Sequence, residues 1–238
     1  MPIAADTAAK LTLAPLLIAQ ALYVRQKALI LPEPPGARQG VLGQGETLRL
    51  LIAGDSSGAG VGAESQARAL SGCLSRDLAA DHRVSWHLEA ATGATTRATL
   101  RQLQQLPEAQ FDVAVLALGV NDVTKGARLS GWLADQQALY HLLQDRFAVR
   151  HIFVSGLPPM GQFPLLPNPL RAILGQTATR FDAALAALCA GREDVTHLPF
   201  DLPFRPEYIA TDGFHPSEVA YPIWAARIAA EVRQLDLH

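Results

Sequence analysis

Short apolar runs alternate with helical stretches along most of this chain, and that alternation limits the folds open to it. Leu48 to Ala53, Arg83 to Leu88, Phe111 to Leu118, His151 to Ser155 and Val195 to Leu198 read as strands, the second from its alternating pattern. Between them the spacing predicts helices over about Ala63 to Ala80, from a Thr95 or Thr96 cap to Leu106, from a Ser130 cap to Phe147, over Leu170 to Ala190, and finally Glu218 to Leu235. Strands alternating with helices imply a parallel sheet of five strands, covered on both faces. In open sheets of this kind ligands sit outside the carboxyl ends of the strands. Ser56, Gly93, Asn121 and the loop holding His215 each follow an expected strand, so they fall on one edge.

At 238 residues the chain suits one domain with a short appendage. We divide it into an N-terminal apolar helix with a Pro/Gly-rich linker (1–46) and a main domain (47–238), with Gly36 to Gly45 read as loop. A net charge of -2 supplies no basic footprint, which argues against nucleic acid as a partner. Cys73 and Cys189 are far apart in sequence and suggest neither a disulfide framework nor a zinc site. Leu11 to Val24 runs 14 residues without a charge, short of the roughly 20 a bilayer span requires. Ala19-Gln20-Ala21 resembles a signal cleavage site, but the preceding segment lacks a positive cluster. The expectation is a cytoplasmic protein whose N-terminal helix docks on the domain or touches a membrane surface through residues 11–24.

Three short motifs carry the chemistry. Gly54-Asp55-Ser56 ends the first strand; alone, its serine is an ordinary helix cap. Gly54, Ser56 and Gly58 also fit a nucleophile elbow, although that turn normally follows several strands rather than the first. Gly58, Gly60 and Gly62 lack the G-x-G-x-x-G spacing of a dinucleotide site, and no phosphate-binding lysine follows them. Asn121 and Asp122 suit a turn after a strand; functionally, Asn121 offers an amide to a developing oxyanion, and Asp122 braces the loop. Asp212 stands three residues before His215, close enough to accept its Nδ1 proton and leave Nε2 to act as a base. The other histidines show no comparable pattern.

With these motifs in this order, residues 47–235 resemble the SGNH hydrolases, the GDSL esterase/lipase family. Gly54-Asp55-Ser56 matches the first block, with Ser57 standing where the family has leucine; Gly119, Asn121 and Asp122 match the Gly-x-Asn-Asp block, and Asp212, His215 and Pro216 the last. The family's separate glycine falls by order and position on Gly93. The resemblance implies a three-layer α/β/α, flavodoxin-like fold. It also implies catalysis by Ser56, Asp212 and His215, with Ser56, Gly93 and Asn121 around the oxyanion and neither metal nor organic cofactor. The expected substrate is a small-molecule carboxylic ester with a short or medium acyl chain, the apolar segment Leu157 to Pro169 either walling the acyl pocket or packing on the core. An acyltransferase, a thioesterase or lysophospholipase, or a non-catalytic flavodoxin-like binding module remain alternatives.

Overall fold

The computed structural model describes residues 3–200 and 205–236, with side chains from residue 13 onward. The chain opens with helix α1 (Ile3–Lys27), followed by strands β1 (Gln39–Leu42) and β2 (Thr47–Gly54) and helix α2 (Leu70–Leu78). Next come β3 (Arg83–Ala90), α3 (Thr96–Gln105), β4 (Val113–Ala117), α4 (Val120–Thr124) and α5 (Leu129–Phe147). The last elements are β5 (His151–Ser155), α6 (Leu170–Cys189), β6 (Val195–Leu198) and α7 (Ala220–Val232).

The sheet runs β1-β3-β2-β4-β5-β6, with every pairing parallel except β1 on β3. Successive residues of β2 face opposite layers, as a strand's two-residue period requires. Leu51 and Ala53 join the core beneath α3, α5 and α6, while Leu50 and Ile52 join the one beneath α2 and α7. The result is the expected α/β/α sandwich, in which α2, α3, α5, α6 and α7 each bury one side and cover the parallel strands from both faces.

Several elements depart from the sequence reading: α5 starts at Leu129 with Arg128, not Ser130, at its cap position, and the turn expected at Asn121 and Asp122 is the short helix α4. The sheet has six strands rather than five, because Gln39–Leu42, read as loop, forms an antiparallel edge on β3. An edge strand needs only backbone pairing, and most of these side chains are exposed, so no apolar run marks it. Gly40 lies flat against the indole of Trp86: a Cβ there would come within 3.1 Å of the ring nitrogen. The expected helix from Ala63 is also interrupted, with a 3-10 turn at Gln66–Arg68 and α2 starting only at Leu70. Buried Gln66 explains the break, since its amide donates to the Ala59 carbonyl at 2.8 Å and its side-chain oxygen accepts from Ser71 at 3.0 Å.

Helix α1 lies against the start of α6. Gln20 donates to the Asn168 carbonyl at 2.6 Å and accepts from Leu170 N–H at 3.0 Å, and Val24 packs on the core. Leu16, Ile18, Leu22 and Tyr23 are exposed on this helix. Among the described residues no helix is long and apolar enough to cross a membrane.

Candidate active site

Ser56 sits in the turn that leaves β2. Asp55 N–H still pairs with the Ala117 carbonyl of β4, and Ala59 and Val61 N–H then return to the carbonyls of Asp55 and Ser56 at 2.8 and 2.9 Å. Gly62, at φ 101°, lets this turn abut the C-terminal loop: a Cβ there would lie 2.1 Å from the Pro216 carbonyl oxygen. A residue with a side chain would therefore push the Ser56 and His215 loops apart.

The structure brings Ser56, His215 and Asp212 into one hydrogen-bonded line. His215 Nε2 is 2.8 Å from Ser56 Oγ, and His215 Nδ1 is 2.5 Å from Asp212 Oδ2. The other Asp212 oxygen accepts the backbone N–H groups of Phe214 and His215 at 2.9 and 3.0 Å. Burial works to raise the Asp212 carboxyl, but the His215 side chain and these two amides outweigh it and hold the group below its ordinary value. An ionised Asp212 places the imidazole proton on Nδ1, which leaves Nε2 to accept the serine proton. Phe214 sits edge-on to the His215 ring, at 5.3 Å between centroids.

Asn121 opens the short helix α4, and its amide donates to Asp55 Oδ2 over a long 3.4 Å. Asp122 braces its loop, as expected from sequence: its carboxylate accepts Thr96 N–H and Thr96 Oγ–H, both at 3.0 Å. Trp132 Nε1 in turn donates to Thr96 Oγ1 at 3.0 Å. Through Thr96 the loop holding Gly93 is tied to the helix holding Asn121. Its other end is tied to the Ser56 strand by Ala91 N–H on the Gly54 carbonyl, at 3.2 Å. Among the described residues, the N–H groups of Ser56 and Gly93 donate to no protein acceptor. Gly93 and Asn121 are not among the residues that line the cavity beside Ser56.

Asp55 received no role from the sequence beyond its place in the motif. Its Oδ1 accepts both the N–H and the hydroxyl of Ser57, at 2.9 and 2.7 Å, so Ser57 supplies a donor that leucine would lack. The signal was the short-range habit of aspartate to bond its own backbone two residues on. Burial pushes the Asp55 carboxyl above its ordinary value, against the Ser57 bonds and the nearby His215. The folded state thus holds this proton more tightly than the unfolded chain, and stability falls as pH rises through the window above about 4. Asp55→Asn has no such proton to lose. The urea midpoint of D55N minus that of the wild type should grow between about pH 4 and 7, and a flat difference would place the Asp55 carboxyl at its ordinary value.

A cavity opens on Ser56 and His215 and is walled by Leu118, Val120, Phe163, Phe200, Phe214 and Trp224. Its empty volume, mouth included, is about 790 Å3, within the usual range for small-molecule sites. The segment from Leu157 packs on the core through Met160 and Leu166, and its Pro158 and Phe163 also line the cavity. A second histidine–carboxylate pair, His197 with Asp182 at 2.9 Å, has no local sequence pattern because 15 residues separate its members. Asp182 also accepts Leu157 N–H at 2.9 Å, so this pair anchors the cavity wall, and no serine completes it among the described residues. No group of three or more His, Cys, Asp or Glu among the described residues is arranged to hold a metal ion.

A strand-end serine thus faces a carboxylate-backed histidine on the carboxyl edge of a parallel sheet. Residues 52–223 match the profile of the GDSL-like lipase/acylhydrolase family, and the chain belongs to that family and to the carboxylic ester hydrolases. No curated protein matches it by sequence. Among solved structures it is similar to the esterase EstA from Pseudoalteromonas sp., at 17% identity and TM-score 0.61, over 78% of this chain and 97% of that one. It is also similar to the lipase/acylhydrolase from Enterococcus faecalis, at 21% identity and TM-score 0.55, over 78% of this chain and 95% of that one. A member of the lipolytic G-D-S-L family from Veillonella parvula aligns at 14% identity and TM-score 0.58, over 79% and 100% of the two chains.

Proposed function

We propose that the protein is a serine esterase that hydrolyses carboxylic esters of short or medium acyl chain through an acyl-enzyme on Ser56. The observation that carries this reading is the line from Ser56 Oγ through His215 to Asp212, at 2.8 and 2.5 Å, beside an apolar cavity. Ser56 Oγ attacks the ester carbonyl while His215 Nε2 takes its proton and passes it to the departing alcohol. Asp212 keeps the ring in the productive tautomer and balances the imidazolium that forms. The tetrahedral oxygen lies against the N–H groups of Ser56 and Gly93 and the Asn121 amide. Water then repeats the sequence on the acyl-enzyme and releases the acid. EstA, whose fold is similar, has been seen inhibited by monoethylphosphonate, a capture that suits the same chemistry here.

Hydrolysis of p-nitrophenyl esters of increasing acyl length tests the reading. An optimum at short or medium chains supports it. A folded enzyme inactive at every length overturns the esterase assignment, and an optimum at long chains overturns the acyl preference. Asn121→Ala should lose about 10²–10³ in kcat yet remain measurable, since two backbone donors survive. The 3.4 Å bond to Asp55 is long enough to be exchanged readily for the oxyanion. Unchanged kcat in N121A removes Asn121 from the site.

A further inference from the structure

The loop from Ala91 to Ala94 is held in place by more than the sheet. Gly93 takes φ 78°, and a Cβ on it would touch nothing within 4 Å, so neither packing nor sterics fixes this residue. A glycine so placed ranges over both signs of φ unless its neighbours are tied down. Its neighbours are tied. Thr92 donates its N–H and its hydroxyl to a single oxygen of Glu33, at 2.7 and 2.8 Å. Lys125 Nζ donates to the Gly93 carbonyl at 2.6 Å. The Gly93 N–H belongs to the peptide between these two anchors, so its direction is set from both sides.

Glu33 is itself fastened. Its second oxygen accepts Arg38 Nη1 at 3.1 Å, and Arg38 also donates to the Ala90 carbonyl, one residue before the loop. Leu88 N–H donates to the Arg38 carbonyl at 2.7 Å. Burial works to raise the Glu33 carboxyl, but Thr92 and Arg38 hold it below its ordinary value, so it is a carboxylate at neutral pH. The same stretch grips the turn after Ser56. The Pro35 carbonyl accepts Gln66 N–H at 2.9 Å, the Pro34 carbonyl accepts the Gln66 side chain at 3.3 Å, and that side chain also holds Ala59.

We propose that residues 33–38 are a strap fixing the Gly93 loop against the Ser56 turn, with Glu33 as a positioning residue for the Gly93 N–H in the oxyanion site. The proposal rests on the esterase reading above for its kinetic consequence. An orientation defect should appear in the transition state and not in ground-state binding. Glu33→Ala should therefore lower kcat about tenfold with KM held within about twofold, the signature of a donor moved off line. Glu33→Gln keeps an oxygen for Thr92 and gives up only the ion pair, so it should restore kcat to within about threefold of the wild type. Unchanged kcat in E33A overturns the proposal, as does a loss confined to KM or one that glutamine fails to repair. Amide hydrogen exchange over residues 91–94 needs no substrate and separates the two readings. Faster exchange there in E33A than in E33Q supports the strap. Equal exchange overturns it, even in a protein that hydrolyses no ester and so fails the esterase reading.

Discussion

Ser56→Ala should lose ester hydrolysis and fluorophosphonate labelling together, by a factor on the order of 10⁶ in kcat, as expected where a nucleophilic serine is removed. Both readouts depend on one atom. Ser56 Oγ is the hydroxyl that His215 Nε2 reaches at 2.8 Å, and Ala cannot carry an acyl or phosphonyl group. Structurally the change is small. The removed oxygen belongs to a turn held by backbone bonds from Asp55 to Val61, which alanine retains. The melting temperature should move by no more than a few degrees, consistent with the loss of one partly solvated hydrogen bond. Background hydrolysis left by the binding site and oxyanion donors should still be accelerated over water. Persistent labelling in S56A would place the nucleophile on another side chain and dissolve the assignment at its centre.

The legible and illegible parts of this molecule divide by physical origin. β4 and β5 fall within the apolar runs that predict them, because a strand buried on both faces must be apolar at most positions, whereas β6, at the sheet's edge, is buried only at its two ends. The Thr95 cap is legible for a local reason, an oxygen that accepts Ala98 N–H within one turn. Asp212 and His215 are legible for the same reason, since three residues suffice to fold the carboxylate back on the ring. β1 left no apolar trace, being an exposed edge. Glu33 and Thr92 are 59 residues apart, and Lys125 meets a backbone carbonyl, a partner without sequence identity. Such contacts are made by the fold and have no local pattern to betray them. Gly93 stands between the two kinds: order along the chain points to it, but only the tied loop explains why a glycine without packing constraints holds one orientation.

Asp212→Asn should lower kcat by about 10⁴ while leaving KM nearly unchanged, through the tautomer of His215. Asp212 spends one oxygen on the N–H groups of Phe214 and His215 and the other on His215 Nδ1. In asparagine the two backbone donors claim the single oxygen, and the amide NH2 then faces Nδ1. The ring must accept there, so its proton moves to Nε2, and the nitrogen that should take the Ser56 proton becomes a donor. Labelling by a fluorophosphonate should slow in parallel, because it needs the same proton transfer. The stability of D212N carries an independent sign. Asp212 is held below its ordinary value in the fold, so it stabilises the wild type above the unfolded carboxylate value, near 4, and that contribution is lost as pH falls through the lowered value. The gap in urea midpoint between wild type and D212N should therefore close toward low pH, opposite in direction to the trend for D55N. A loss below about tenfold in kcat, with the midpoint gap behaving as described, would leave Asp212 as a brace for its loop and take the orienting role away from it.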